Sequence, residues 1–150
     1  MLALLLRIRK EMGKNMHELQ LIPGMKDALP EIRNLNCRLG ILTSNSKNNV
    51  HAFLKANCLS GIIDFVYSGR SLLGKNKVML QLLAHENISK EDVIYVGDEA
   101  RDIEASKKAG IQVVAVTWGL QHRETLSALQ PDMIADTPGE LVGCIKKMIL

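Results

Sequence analysis

The chain has 150 residues, 47% apolar and 23% charged, with a formal net charge of +3. That length and mix suit one domain with a buried core. Mild charge and few aromatics (3%) exclude a base-stacking nucleic-acid surface, and no apolar run is long enough to span a membrane.

Cys37, Cys58 and Cys144 are widely spaced and form no CxxC or Cys/His ligand pattern, so three reduced thiols are expected. Met1–Leu6 begins like a leader, but Arg7 ends the apolar run and no small-residue cleavage site follows. The expectation is a cytoplasmic protein.

Residues 2–19 favour helix: Leu, Arg, Lys, Glu and Met dominate and Pro is absent. Leu21-Ile22-Pro23-Gly24 ends that segment. Met25, Ala28, Leu29, Ile32 and Leu35 fit one helical face, with Pro30 as a kink or late-start signal. Arg38–Thr43 reads as a buried strand and Ser44-Asn45-Ser46 as a turn and N-cap cluster. A helix follows to about Cys58, then a strand at 62–67 and a helix at Lys77–Glu86. Val93–Val96 is the next strand and Glu99–Ala109 the next helix, closed by Gly110. Residues 112–117 form a strand, Met133-Ile134 a short edge strand, and Pro138–Ile149 a last helix.

Strands thus alternate with helices, and the strands are continuous apolar runs. That pattern marks a parallel sheet covered on both faces, an α/β class, with ligands at the carboxyl ends of the strands. Three such ends are polar: Ser44-Asn45-Ser46, Gly97-Asp98-Glu99 and Thr117-Trp118-Gly119.

Asp98 follows a strand directly and Asp102 lies one helical turn on, so both can face one rim. Hard oxygen donors there suit Mg²⁺; a helix N-terminus complemented by acids is the plainer reading. Ser44 and Asn45 open a helix, which suits a phosphate, or simply cap it. Lys75 could screen a phosphate and nearby carboxylates, or be a solvated charge. Gly69-Arg70-Ser71-Leu72-Leu73-Gly74-Lys75 matches seven positions of the nucleotide phosphate-loop pattern, but Asn76 stands where Ser or Thr is needed. No GxSxG or HExxH occurs, and His17, His51, His85 and His122 show no ligand spacing.

These elements together resemble the haloacid dehalogenase (HAD) superfamily, most closely its phosphoglycolate-phosphatase-like members, from about Leu21 onward. Leu21-Ile22-Pro23-Gly24-Met25 resembles the Pro-Gly turn that follows the cap domain. Ile41–Ser46 resembles the second family motif, which implies that Ser44 and Asn45 bind the phosphoryl group. Lys75 resembles the third-motif lysine. Val96-Gly97-Asp98-Glu99-Ala100-Arg101-Asp102 resembles the acidic fourth motif, which implies Mg²⁺ on Asp98, supported by Asp102 directly or through water. The resemblance implies a three-layer Rossmann-like core at residues 21–150 and a remnant of the helical cap at residues 1–20. It implies a Mg²⁺-dependent phosphomonoester hydrolase whose partner is a small phosphorylated metabolite, with catalytic roles for Ser44 and Lys75.

One family element is missing. The family nucleophile is the first Asp of a DxD motif on the first strand, and no DxD occurs in the sequence. The expectation is therefore a core without its first strand and most of its cap, inactive alone by the aspartyl-phosphate route. An absent central strand would leave exposed sheet edges open to pairing. The alternatives are a catalytically dead HAD-like binding domain and a nucleotide-binding phosphate-loop protein.

Overall fold

A computed structural model describes residues 19–69 and 74–150, together with the backbone of residues 3–6. In chain order the elements are β1 (Ala3–Leu6), α1 (Met25–Arg33), β2 (Arg38–Thr43), α2 (Lys47–Ala56), β3 (Phe65–Ser68) and α3 (Lys75–Glu86). They continue with β4 (Val93–Gly97), α4 (Ala100–Ala109), β5 (Gln112–Val116), α5 (Arg123–Ala128), β6 (Met133–Ala135) and α6 (Pro138–Ile149). Among the described residues the strands form one parallel sheet in the order β3-β2-β1-β4-β5-β6. This is the three-layer Rossmann-like arrangement expected from the apolar runs.

Those runs are continuous because both faces are covered. On β4, Ile94 and Val96 pack with α1, α2 and α6, while Val93 and Tyr95 pack with α3, α4 and α5. Successive side chains of a strand point to opposite faces, so an uninterrupted apolar strand needs two helical layers. Each such side chain taken fully from water contributes about 1.5–3 kcal/mol before the entropy of ordering it. Gly110 closes α4 in the left-handed conformation, φ 71°, as expected.

The helix expected over residues 2–19 is not what Ala3–Leu6 forms. These residues are the strand β1, paired in parallel with β2 on one side and β4 on the other. The gap and open inner edges expected at the sheet centre are therefore filled. Leucine and alanine favour helix as isolated residues, but two flanking ladders of backbone hydrogen bonds outweigh that preference. The helical expectation for 7–18 lies outside the described residues, as does stretch 70–73 of the phosphate-loop pattern.

Smaller differences have local causes. The strand expected at 62–67 starts at Phe65 because Asp64 closes its beginning. Asp64 donates its N–H to the Leu39 carbonyl at 2.7 Å, and its Oδ2 accepts from Leu39 N–H at 2.7 Å and from Arg33 Nη1 at 2.5 Å. Pro30 lies inside α1 without ending it. The short helix α5 escapes sequence reading because it buries only Leu126.

Burial pushes the Asp64 carboxyl up, but the Arg33 hydrogen bond, the Leu39 N–H and the charges of Arg33 and Arg38 outweigh it and hold it below the usual carboxylate range. A depressed carboxylate stabilises the fold above its unfolded value of about 4 and loses that contribution as the pH falls through the folded value. Asp64→Asn should therefore lower Tm at pH 7 and flatten the decline of Tm on acidification, read by circular dichroism melts from neutral to acid pH.

Candidate active site at the sheet switch point

The chain reverses its direction of travel across the sheet between β1 and β4, and ligands of open parallel sheets bind outside the carboxyl ends of the strands at such a point. Leu6 of β1 stands level with Ile41 on β2 and with Val96 on β4. Ser44 and Asp98 follow those partners by three and two residues. They therefore emerge on one rim, separated by two strand spacings, about 10 Å.

Asp98, Glu99 and Asp102 are all buried, Asp102 fully. Buried carboxylates so close need their own partners. Asp98 Oδ2 accepts the Leu120 N–H at 2.8 Å. Glu99 is paired with Arg101. Asp102 Oδ2 accepts the N–H groups of Asp98 and Glu99, both at 3.2 Å, and its Oδ1 is paired with Lys75 Nζ. Gly97 makes this fold-back feasible: a Cβ there would lie 2.5 Å from the Asp102 Cβ.

Lys75 is the first residue of α3, which starts two residues before the Lys77 expected from the sequence. Gly74 before it has φ 104° and ψ 152°, a conformation open essentially to glycine. The Lys75 ammonium also lies 5.2 Å from the centroid of the Tyr95 ring. An aromatic face below and a buried carboxylate beside it fix the cation at the rim. Tyr95 read only as a core strand residue in the sequence, because nothing local links it to Lys75.

The second polar cluster lies across β1. Ser46 is the N-cap of α2 and accepts the Asn49 N–H at 3.2 Å. Ser44 is exposed and Asn45 buried. Asn45 Oδ1 accepts from Ser46 N–H at 3.0 Å and from Asn49 Nδ2 at 2.9 Å, its N–H donates to Thr43 Oγ1 at 3.0 Å, and its carbonyl accepts from Ser68 Oγ at 2.5 Å. The carboxamide oxygen thus builds the start of α2, leaving the Ser44 hydroxyl as the exposed polar side chain of the pair. Thr43, Asn49 and Ser68 were not singled out in the sequence; Asn49 carries the ordinary capping spacing of three from Ser46.

Asp98 also borders a cavity of about 270 Å³ on the α1–α2–α6 side of the sheet, lined largely by apolar residues such as Ile41, Phe53, Leu54 and Trp118. None of its described lining residues is Lys, Arg or His. For a divalent cation, the described residues hold no cluster of three His, Cys, Asp or Glu side chains. Mg²⁺ commonly takes one or two carboxylates and completes its shell with water and phosphate, so the donor type fits at Asp98. Asp102, engaged by Lys75 and two backbone N–H groups, fits as the group behind it.

Removing Lys75 would leave the fully buried Asp102 without its cationic partner. Lys75→Met should destabilise the chain by about 2–4 kcal/mol. The Lys75→Met/Asp102→Asn double variant should lose less than the sum of the single losses, as a urea double-mutant cycle would measure.

The profile of the haloacid dehalogenase-like hydrolases matches residues 1–116. A phosphoglycolate phosphatase of Synechococcus elongatus is 39% identical over 146 residues, covering 97% of this chain and 69% of that protein. A phosphoglycolate phosphatase of Pseudomonas putida is 26% identical over 133 residues, 85% of this chain and 49% of that protein. Among solved structures, a haloacid dehalogenase-like hydrolase from Streptococcus pneumoniae superposes with a TM-score of 0.77 at 29% identity, covering 85% of this chain and 61% of that one. A haloacid dehalogenase-like protein from Agrobacterium tumefaciens shares the fold, with a TM-score of 0.75 at 20% identity over 91% of this chain and 65% of that one. The chain thus spans roughly half to two thirds of its relatives' lengths, 49% to 69% in these cases. With more than half its length matched by the profile, and with the acidic strand end, the helix-borne lysine and the capped serine turn on one rim, this chain belongs to the haloacid dehalogenase-like hydrolases.

Proposed function

We propose that this chain carries the phosphate-binding and metal-binding part of a Mg²⁺-dependent phosphomonoester hydrolase of the phosphoglycolate-phosphatase-like kind. The observation that carries the reading is the Asp102 carboxylate, which bonds the Asp98 backbone and pairs with Lys75 at the switch point, across β1 from Ser44. Lys75 offers a fixed positive charge to a phosphoryl group, and Ser44 offers a hydroxyl beside the N-terminus of α2. Donors held in place before reaction act on developing charge without reorganising. Asp98 is the carboxylate that would hold Mg²⁺, with Asp102 behind it. When bound, the ion would neutralise charge on the phosphoryl oxygens. Asn45 supports the phosphate site mainly by building the start of α2.

The family's covalent route needs an Asp nucleophile in a DxD motif, and the sequence contains none; its first Asp is Asp27, exposed on α1. The proposal is accordingly binding of a small phosphomonoester without efficient transfer by these 150 residues. The same feature favours a second reading, a HAD-like domain that binds a phosphorylated metabolite and does no chemistry. The nucleotide phosphate-loop reading loses support, because Lys75 is paired with Asp102 and Asn76 occupies the hydroxyl position. The cavity beside Asp98 supports a substrate whose organic part meets apolar surface. Free Cys37, Cys58 and Cys144 agree with a reducing, cytoplasmic setting. No helix among the described residues is long and apolar enough to cross a membrane.

Isothermal titration with orthovanadate or inorganic phosphate should give binding that requires Mg²⁺. That binding should weaken about tenfold or more in Lys75→Ala and Asp98→Asn and by a smaller factor in Ser44→Ala. Release of phosphate from phosphoglycolate or phenyl phosphate by residues 1–150 should stay at the level of the Asp98→Asn variant. Mg²⁺-dependent turnover abolished by Asp98→Asn would overturn the claim of inefficient transfer, and Mg²⁺-independent phosphate binding would overturn the metal assignment.

A further inference from the structure

Thr117–His122, the segment between β5 and α5, is tied to the acidic cluster at more points than a connecting loop requires. Its two ends are joined through one side chain. Thr117 Oγ1 donates to Asp136 Oδ1 at 2.9 Å, and Arg123 Nη1, just beyond the segment, pairs with Asp136 Oδ2 at 2.5 Å. Asp136 is itself held at the start of α6, where its N–H donates to Glu140 Oε2 at 2.8 Å. The middle of the segment then reaches the rim. Leu120 N–H donates to Asp98 Oδ2 at 2.8 Å, and Gln121 Oε1 accepts the Ala100 N–H at the first turn of α4. Between Trp118 and Leu120, Gly119 lies so close that a Cβ on it would fall on the Asp98 carboxylate.

We infer that this segment is a strap that orients the Asp98 carboxylate, with Gly119, Gln121 and Asp136 as positioning residues. The inference rests on the reading of Asp98 as the metal-binding carboxylate. Its logic is geometric. A carboxylate can rotate about its Cβ–Cγ bond, and a backbone donor on one oxygen fixes which lone pairs of the other remain directed at the rim. The donor is only as fixed as its loop, and the loop is fixed by Asp136 at its ends and by Gln121 on α4. Arg123 and Asp136 are half-exposed, so their pairing adds little to stability; its effect lies in placing Leu120 and Gly119. Partners that orient a metal ligand without touching the metal typically change metal affinity by about 10–100-fold.

Trp118 is the single tryptophan of the chain and sits in the strap, next to Gly119. Mn²⁺ can therefore be titrated by quenching of Trp118 emission, with free Mn²⁺ followed independently by electron paramagnetic resonance. Wild type should bind Mn²⁺ and Asp98→Asn should not. Gly119→Ala and Gln121→Ala should each bind about tenfold or more weakly, with unchanged circular dichroism. Gln121→Glu keeps the acceptor oxygen and should stay within about threefold of wild type. Wild-type affinity in Gln121→Ala, with Asp98→Asn still inactive in binding, would overturn the strap alone. That arm decides the matter even where Gly119→Ala fails to fold. Absence of Mn²⁺ binding by wild type, or unchanged binding by Asp98→Asn, would overturn the metal reading and the strap with it.

Discussion

The Asp102 carboxylate ties together, at the rim, three elements that also share one apolar core, β4, α4 and α3. It is on α4, it accepts from the Asp98 and Glu99 N–H groups just after β4, and it pairs with the lysine that begins α3. Being fully buried, its oxygens are shielded from water and depend on protein partners such as these for their hydrogen bonds. The placement of Lys75, the direction of the chain after Gly97 and the first turn of α4 are thereby coupled. Gly97 and Gly74 are the backbone conditions of this arrangement, one by lacking a Cβ under Asp102, the other by adopting a conformation closed to other residues.

The same carboxylate explains how three acids can crowd five positions. Among the described residues, each has a different partner. Asp102 turns towards α3, Glu99 towards Arg101 and Asp98 towards the segment after β5. The fold separates the acids by direction rather than by distance. Asp98 is thus set apart from its neighbours, on the cavity side of the sheet, whereas Lys75 approaches from the side of Tyr95.

The sheet supplies the frame. Parallel strands in the order β3-β2-β1-β4-β5-β6 bring all their carboxyl ends to one rim, so residues far apart in sequence, such as Ser44, Asp98 and Thr117, need only follow their strands to share an edge. β1 holds this frame together as the strand between β2 and β4, although its sequence carries none of the family's acidic residues.

Much of this was legible in the residues themselves. Uninterrupted runs such as Val93–Val96 can bury both faces only in a doubly covered sheet, and capping signals at Ser46 and Gly110 act within a few residues. Together with the spacing of Asp98 and Asp102 and the turn at Ser44, they determined the fold class and the candidate rim, because each depends on local periodicity or a short-range hydrogen bond. Tertiary structure alone decided the rest. Ala3–Leu6 is a strand because two neighbours offer it ladders, a gain invisible to helix propensity. Lys75 meets Asp102, Tyr95 lies under Lys75, and Gly119 and Gln121 reach the end of β4 because β5 is the strand beside it. Those partners are 20 to 27 residues apart in the chain, a separation at which no periodicity carries information and only tertiary packing brings them into contact.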